Sequence, residues 1–148
     1  ADVVDACLAV EEDRLLDVRA RARALAMLDG EVCAKVGEVF KRVANIAKEA
    51  PDGDPVSPKE REKEPHASEL ALYDAYLGLG AALAAASAAR DYPKAFGLIA
   101  ALSPKLADYF LSVFVMADDV ALKENRLRTL RGVRDACSTI AQFQLLAG

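Results

Sequence analysis

The sequence contains no tryptophan, only one histidine and few other aromatic residues. Aromatic side chains make up 6% of the chain, whereas alanine and leucine supply most of its 53% hydrophobic content. Because alanine and leucine lose little conformational freedom in a helix, this composition favours an all-α protein. A chain of 148 residues can bury a substantial core. We therefore expect one helical domain over residues 1–148.

The cysteines are too few and too scattered for a disulfide framework or a zinc site. Cys7, Cys33 and Cys137 are odd in number, far apart and without a C-x-x-C pair. This pattern indicates reduced thiols and a cytoplasmic protein. The chain also lacks a signal sequence and any run of 18 apolar residues, so no membrane partner is expected. Because it does not begin with methionine, we expect it to have been cut from a longer chain.

No pattern in the chain is typical of a catalytic, metal or cofactor site. His66 follows Pro65 in a charged loop, where no rigid partner could orient it as a general base. No nucleophile elbow, phosphate-binding loop or metalloprotease motif is present. The pair Gly78 and Gly80 lacks both a preceding strand and the third glycine of a dinucleotide loop. The segment is therefore predicted to bind a partner and not to catalyse a reaction by itself.

Apolar residues recur at spacings of three and four along most of the chain, which predicts a bundle of six or seven helices. Glycine, serine and proline divide them, and Ser103-Pro104 predicts the start of a separate helix. The segment 51–65 contains four prolines and many charges, so we expect an exposed loop without strong order. The predicted helices cover residues 3–12, 15–28, 31–48, 68–89, 92–102, 103–116 and 118–146, the last with a break near Ser138.

The net charge of −4 argues mildly against a nucleic-acid partner, but the cations are not evenly distributed. Residues 123–134 contain five cations and one glutamate. A second basic cluster lies at residues 14–23. For each cluster, an ordinary solvated surface is the alternative interpretation.

Arg126 lies on the apolar stripe of the last predicted helix, and this position requires an explanation. A buried guanidinium needs an acid or several carbonyl oxygens as partners. We predict structural roles for Asp118, Asp119 and Arg126, in which one aspartate caps the helix and the other accepts from Arg126. Arg128 and Arg131 lie off the stripe, which leaves them free to reach a polyanion. The stripe consists of Leu122, Arg126, Leu130, Val133, Cys137 and Ile140.

Four segments together resemble one family. They are RARARAL (residues 19–25), VFKRVANI (39–46), FVMADDVALKENRLRTL (114–130) and AQFQLL (141–146). Their order and spacing resemble the C-terminal anticodon-binding domain of the beta subunit of bacterial glycyl-tRNA synthetases. This domain type is named after a D-A-L-R motif and is shared with arginyl-tRNA synthetases. The tetrapeptide itself is missing here, and the nearest sequence is Val18-Arg19-Ala20-Arg21.

The resemblance implies a non-catalytic module that binds the anticodon region of glycine tRNA. In that family the beta subunit joins a separate catalytic alpha subunit in a heterotetramer. The alpha subunit holds ATP, with its magnesium, and glycine, so no cofactor is expected in this domain. An arginyl-tRNA synthetase domain is a second possibility, but M-A-D-D followed by N-R-L favours glycine.

The residue types on the VFKRVANI helix suit recognition of unpaired RNA. Lys41 and Lys48 supply cations for phosphates, Arg42 can also stack on a base, and Asn45 can read a base edge. Arg128 and Arg131 are predicted to hold the RNA backbone from the last helix. As an alternative, this helix packs against its neighbours and Asn45 caps a backbone group. A rival function is a helical protein-interaction scaffold, which the negative net charge and the small-residue helix would suit.

Overall fold

A computed structural model describes residues 30–140 together with Asp17, Arg19 and Ala20. In this part of the chain there are four α-helices, a short 3-10 turn and no strand. The prediction of an all-α protein is therefore confirmed. The expected number of six or seven helices is not matched, although the predicted helix 3–12 and all of 15–28 except Asp17, Arg19 and Ala20 lie outside the described residues. The elements are α1 (Gly30–Ala47), the 3-10 turn (Pro58–Glu60), α2 (Ala67–Ala88), α3 (Tyr92–Ser112) and α4 (Val120–Ser138).

The helices predicted at 92–102 and 103–116 are one continuous helix, α3, which contains Pro104 in its interior. A proline there removes one hydrogen bond and costs about 3 kcal/mol. The cost is offset because the buried stripe continues through the proline without changing its helical spacing. Ile99, Leu102, Leu106 and Tyr109 are all less than 4% exposed. Burial of this stripe, which local sequence rules do not weigh, keeps the helix intact.

The four helices form a ring in which each packs against two neighbours. The main contacts join α1 to α3 and α4, and α2 also to α3 and α4. Consequently α1 and α2 occupy opposite corners of the bundle, as do α3 and α4. The stripe predicted on α4 faces the centre, where Leu130 and Val133 are fully buried. From α1 the buried side chains are Val36, Phe40, Val43 and Ala47.

Helix α2 is less buried than its composition suggests. By length and composition alone the helix could cross a membrane. Only 22% of its most apolar 18-residue stretch is buried in the bundle. An added Cβ at Gly78 or Gly80 would meet nothing within 4 Å, so these glycines serve no close helix contact. Leu77 is 61% exposed.

Candidate nucleic-acid interface

The outer face of α1 carries the four polar residues predicted to meet RNA. Lys41, Arg42, Asn45 and Lys48 are all exposed. They face outward because Val36, Phe40, Val43 and Ala47 occupy the inward stripe of the same helix. The ammonium group of Lys48 donates to Oδ1 of Asn45 at 3.4 Å. Asn45 makes no capping bond in the described structure, and its amide remains available to a ligand.

Arg42 is positioned by an aromatic side chain from a neighbouring helix. Its guanidinium carbon lies 4.3 Å from the centre of the Phe110 ring on α3. This distance is typical of a cation–π contact, which orients the planar guanidinium against the ring. The Phe110 ring is itself held edge-on by buried Tyr109, with 5.7 Å between the ring centres. Arg42 therefore presents a flat, charged group at the protein surface.

Arg126 is buried and fully engaged, although not by the predicted partners. Its Nε donates to Oε1 of Glu69 at 3.0 Å, and its Nη2 donates to Oε2 of Glu69 at 3.2 Å. The same Nη2 donates to Oε1 of Glu62 at 3.1 Å, and Nη1 donates to the carbonyl oxygen of Phe114 at 2.7 Å. The requirement for acids and a carbonyl oxygen is thus met by residues from the 51–65 loop, α2 and the α3–α4 connection.

The predicted pairing of Arg126 with an aspartate is wrong. Asp119 instead caps α4, because its Oδ1 accepts from the backbone N–H of Leu122 at 3.2 Å. Asp118 is exposed one residue earlier. The arginine lies two helical turns beyond the cap, on the inward face of α4, where acids from other elements are within reach.

The Arg126 cluster contains more negative than positive charge, and this imbalance shifts its ionisation. Burial raises the pKa of Glu62, and the hydrogen bond and charge of Glu69 raise it further against the opposing effect of Arg126. Burial alone would lower the pKa of Arg126, but its bonds to Glu69 and the charges of both glutamates raise it overall. Burial and the charge of Glu69 also raise the pKa of the nearby Tyr109 hydroxyl. Arg126 therefore stays charged, whereas Glu62 binds a proton more tightly than a solvated glutamate does.

Arg128 and Arg131 are not free, contrary to the prediction, because both hold the chain just after α1. Nε of Arg128 donates to the carbonyl oxygen of Asp52 at 3.0 Å. Nη1 of Arg131 donates to the carbonyl oxygen of Pro51 at 2.6 Å, and its Nη2 donates to that of Gly53. Both guanidiniums are only partly exposed. These bonds use one to two of the five N–H donors of each guanidinium, so the predicted contact with an RNA backbone stays a prediction.

The 51–65 loop is tied to α4 more firmly than its composition predicts. The side chain of Asn125 accepts from the backbone N–H of Val56 at 2.8 Å and donates to its carbonyl oxygen at 2.9 Å. Pro58 in the 3-10 turn is buried, and Glu62 joins the Arg126 cluster. Side chains of α4 thus supply contacts that the loop itself lacks, although most of its charged residues are exposed.

Sequence reasoning missed the positioning residues Glu69, Glu62 and Phe110. A usable signal existed for Glu69, since it lies three residues before Leu72 on the buried stripe of α2. An acid on an apolar stripe, like an arginine on one, requires a buried partner. Phe110 and Glu62 had no such signal. His66, expected to be solvated, is exposed and caps α2 by accepting from the backbone N–H of Ser68 at 3.1 Å.

Comparisons with known proteins identify the family of this chain. The DALR anticodon binding domain family matches residues 36–142, which include all four described helices from the second turn of α1 onward. The glycine–tRNA ligase beta subunits of Anaeromyxobacter sp. (strain K) and Geotalea uraniireducens are each 37% identical to the chain over 147 residues. The corresponding subunit of Acidithiobacillus ferrooxidans is 36% identical over 152 residues.

These alignments cover 97% to 100% of the chain but only 20% to 22% of the relatives. The chain thus spans about a fifth of the length of the beta subunits that it matches. The family model, in contrast, covers well over half of the chain. The chain belongs to the DALR anticodon-binding domain family.

Proposed function

We propose that this domain binds the anticodon region of glycine tRNA and helps a glycine–tRNA ligase to select its substrate. The family match and the names of the relatives support the proposal. The domain itself supplies no catalytic group in this account. Aminoacylation, with ATP and magnesium, takes place on a separate catalytic alpha subunit. The rest of the beta chain links that subunit to this domain, and the enzyme acts in the cytoplasm.

The observation that carries the proposal is the arrangement of Arg42 on the exposed face of α1. Bases in an anticodon loop are unpaired and can stack on a guanidinium plane. Contact with Phe110 holds that plane in place before RNA arrives, which reduces the entropy lost on binding. Lys41 and Lys48 lie within one to two turns of Arg42 and neutralise the phosphates on either side of the stacked base.

Asn45 provides the group that can distinguish one base from another. Its carboxamide has both donors and acceptors, so it can pair with the edge of an unstacked base. The bond from Lys48 occupies Oδ1 and leaves the amide N–H groups to donate. In this proposal Asn45 therefore favours bases that present acceptors on their exposed edge.

Titration of the 148-residue chain with glycine tRNA and with a version altered only in the anticodon tests the proposal. Tighter binding to the unaltered tRNA, by about tenfold or more for a pair of base contacts, is the expected result. Equal and weak binding of the two would instead support a protein-interaction scaffold. One observation favours that second function: Leu111, Phe114 and Val120 are large apolar side chains that are 86%, 72% and 60% exposed.

A further inference from the structure

An open groove lies between α1 and α3 beside the Arg42–Phe110 pair. It encloses about 380 Å³ and has mostly apolar walls with a few polar groups at the rim. Its floor is formed by Val36, which is 1% exposed. The lining residues are Lys35, Val36, Glu38, Val39, Ala100, Ser103, Pro104 and Ala107.

The gap exists because α3 presents small side chains toward α1 at this level. Ala100 and Ala107 are the α3 residues one turn before and one turn after Ser103-Pro104. Neither alanine fills the space to α1, and Pro104 is exposed at the edge. Since α3 continues unbroken through Pro104, the groove is lined by residues of two helices and by no loop residue.

The Arg42–Phe110 pair lies just beyond one end of this groove. Arg42 follows Val39 by three residues on α1, and Phe110 follows Ala107 by three residues on α3. At 1.5 Å per residue both steps advance about 4.5 Å along their helices, in the same direction. The residues that carry the guanidinium and the ring therefore lie about one turn beyond the groove.

We propose that this groove binds one unpaired nucleobase of the anticodon loop, an inference that rests on the proposed function. A base is flat and apolar on its faces. In this proposal it contacts Val39 and Ala107 and stacks toward the guanidinium of Arg42, just beyond the groove. Its polar edge can hydrogen-bond to Ser103, a buried residue of the lining, or to the exposed Glu38.

The charges around the groove favour RNA over an apolar protein segment as the occupant. Among the described side chains on α1 and just after it, the exposed cations are Lys41, Arg42, Lys48 and, at the groove itself, Lys35, against the exposed acids Glu38 and Glu49. This excess of positive charge is local, since the whole chain has a net charge of −4. An inserted apolar side chain would make no use of it, whereas the phosphates flanking a base would.

The test fills the groove without changing any charge. Ala107→Leu places a larger side chain in the groove, and Ala84→Leu adds the same side chain on the exposed face of α2 as a matched control. The probe is an RNA stem-loop with the anticodon loop of glycine tRNA, and a set of the same stem-loop in which each loop base is removed in turn. Both proteins are first checked for native helicity and cooperative melting.

We expect Ala107→Leu to weaken binding of the intact stem-loop by about tenfold, the usual range for loss of one stacked base, and Ala84→Leu to leave it unchanged. The stem-loop that lacks the base bound in the groove should bind the unaltered chain about tenfold more weakly than the intact stem-loop does. Its affinity should not fall further when Ala107→Leu is introduced. Phe110→Leu, which removes the aromatic ring beside Arg42 but leaves the groove open, should weaken binding of the same base.

Two failures are distinguishable. If the unaltered chain does not bind the stem-loop at all, the proposed function is wrong. Suppose instead that the unaltered chain binds, that Ala107→Leu and Ala84→Leu bind equally well, and that Ala107→Leu changes the effect of no base removal. RNA then binds elsewhere, and the groove proposal is overturned. Should Ala107→Leu not fold, Ala100→Leu fills the other end of the groove and is judged by the same outcomes.

Discussion

Arg126 and Glu69 form a two-point ion pair across 57 residues of sequence, with Nε–Oε1 and Nη2–Oε2 distances of 3.0 and 3.2 Å. Both side chains are less than a tenth exposed. The pair joins the centre of α4 to the first turn of α2, and Glu62 adds the 51–65 loop to it. This cluster gives the bundle a specific register that apolar stripes alone would not define.

Removing one partner of this pair should be far more harmful than removing both. Arg126→Met leaves Glu69 buried without its cation, so we expect a loss of about 3–5 kcal/mol in the free energy of unfolding, measured by urea denaturation. In the double variant Arg126→Met/Glu69→Leu no charge from the pair remains, and much of the loss should be recovered. Equal stability of the unaltered chain and Arg126→Met would contradict the role given to the ion pair.

The stability of the domain should depend on pH through Glu62. Its pKa is raised in the folded state from the ordinary value of 4.5, so the folded protein binds this proton more tightly than the unfolded chain does. Glu62 consequently adds most stability below pH 4.5, and this contribution disappears as the pH rises through the raised pKa. The free energy of unfolding, relative to that of Glu62→Gln, should therefore fall as the pH is raised from 4 to 7. A difference that grows over this range would have the wrong sign.

Gly132 on α4 should not tolerate even a methyl group. A Cβ at this position would lie 2.5 Å from Cε2 and 2.8 Å from Cζ of Tyr76, so the tyrosine ring on α2 must shift. We expect Gly132→Ala to lower the free energy of unfolding by about 1–3 kcal/mol despite the better helix propensity of alanine. Gly97→Ala on α3 is the matched control, because its Cβ meets nothing within 4 Å and should stabilise the helix by up to about 1 kcal/mol.

The contacts between α4 and the 51–65 loop should protect that loop from proteolysis. Asn125→Ala removes both bonds to Val56, and Arg131→Ala removes those to Pro51 and Gly53. Trypsin should then cut after Lys59, Arg61 or Lys63 faster than in the unaltered protein, by several-fold in limited digestion. Arg134→Ala, which removes only an exposed pair with Asp135, should leave the cleavage rate as it was. If the Asn125 and Arg131 variants are cut no faster, the loop owes its order to something else.

The sequence predicted the faces of the helices better than the long-range partners. The inward stripe on α4 was correctly placed because spacing along one helix follows from backbone geometry alone. The stripe also identified Arg126 as buried and in need of acids, yet the spacing within α4 contains no information about which acid from another helix would arrive. The nearby aspartates were plausible, but only the folded bundle brings Glu69 within 3.0 Å.

Two further differences have the same origin. Ser103-Pro104 is a good local signal for a helix start, and it is overridden by the buried stripe of α3. Arg128 and Arg131 point away from the core as predicted, but the carbonyl oxygens that they bind belong to residues more than 70 positions earlier. On α1, in contrast, the exposure of Lys41, Arg42, Asn45 and Lys48 follows from the helix itself and was predictable.

The outer face of α1 is the centre of this account, and charge reversal there tests it most directly. The measurement is the affinity of Arg42→Glu for glycine tRNA, compared with Lys105→Glu, which makes the same charge change on an exposed part of α3 beside α2. Arg42→Glu should bind at least about tenfold more weakly at low salt, whereas Lys105→Glu should stay close to the unaltered chain. If both variants retain full affinity, or both lose it equally, α1 does not form the RNA-binding surface.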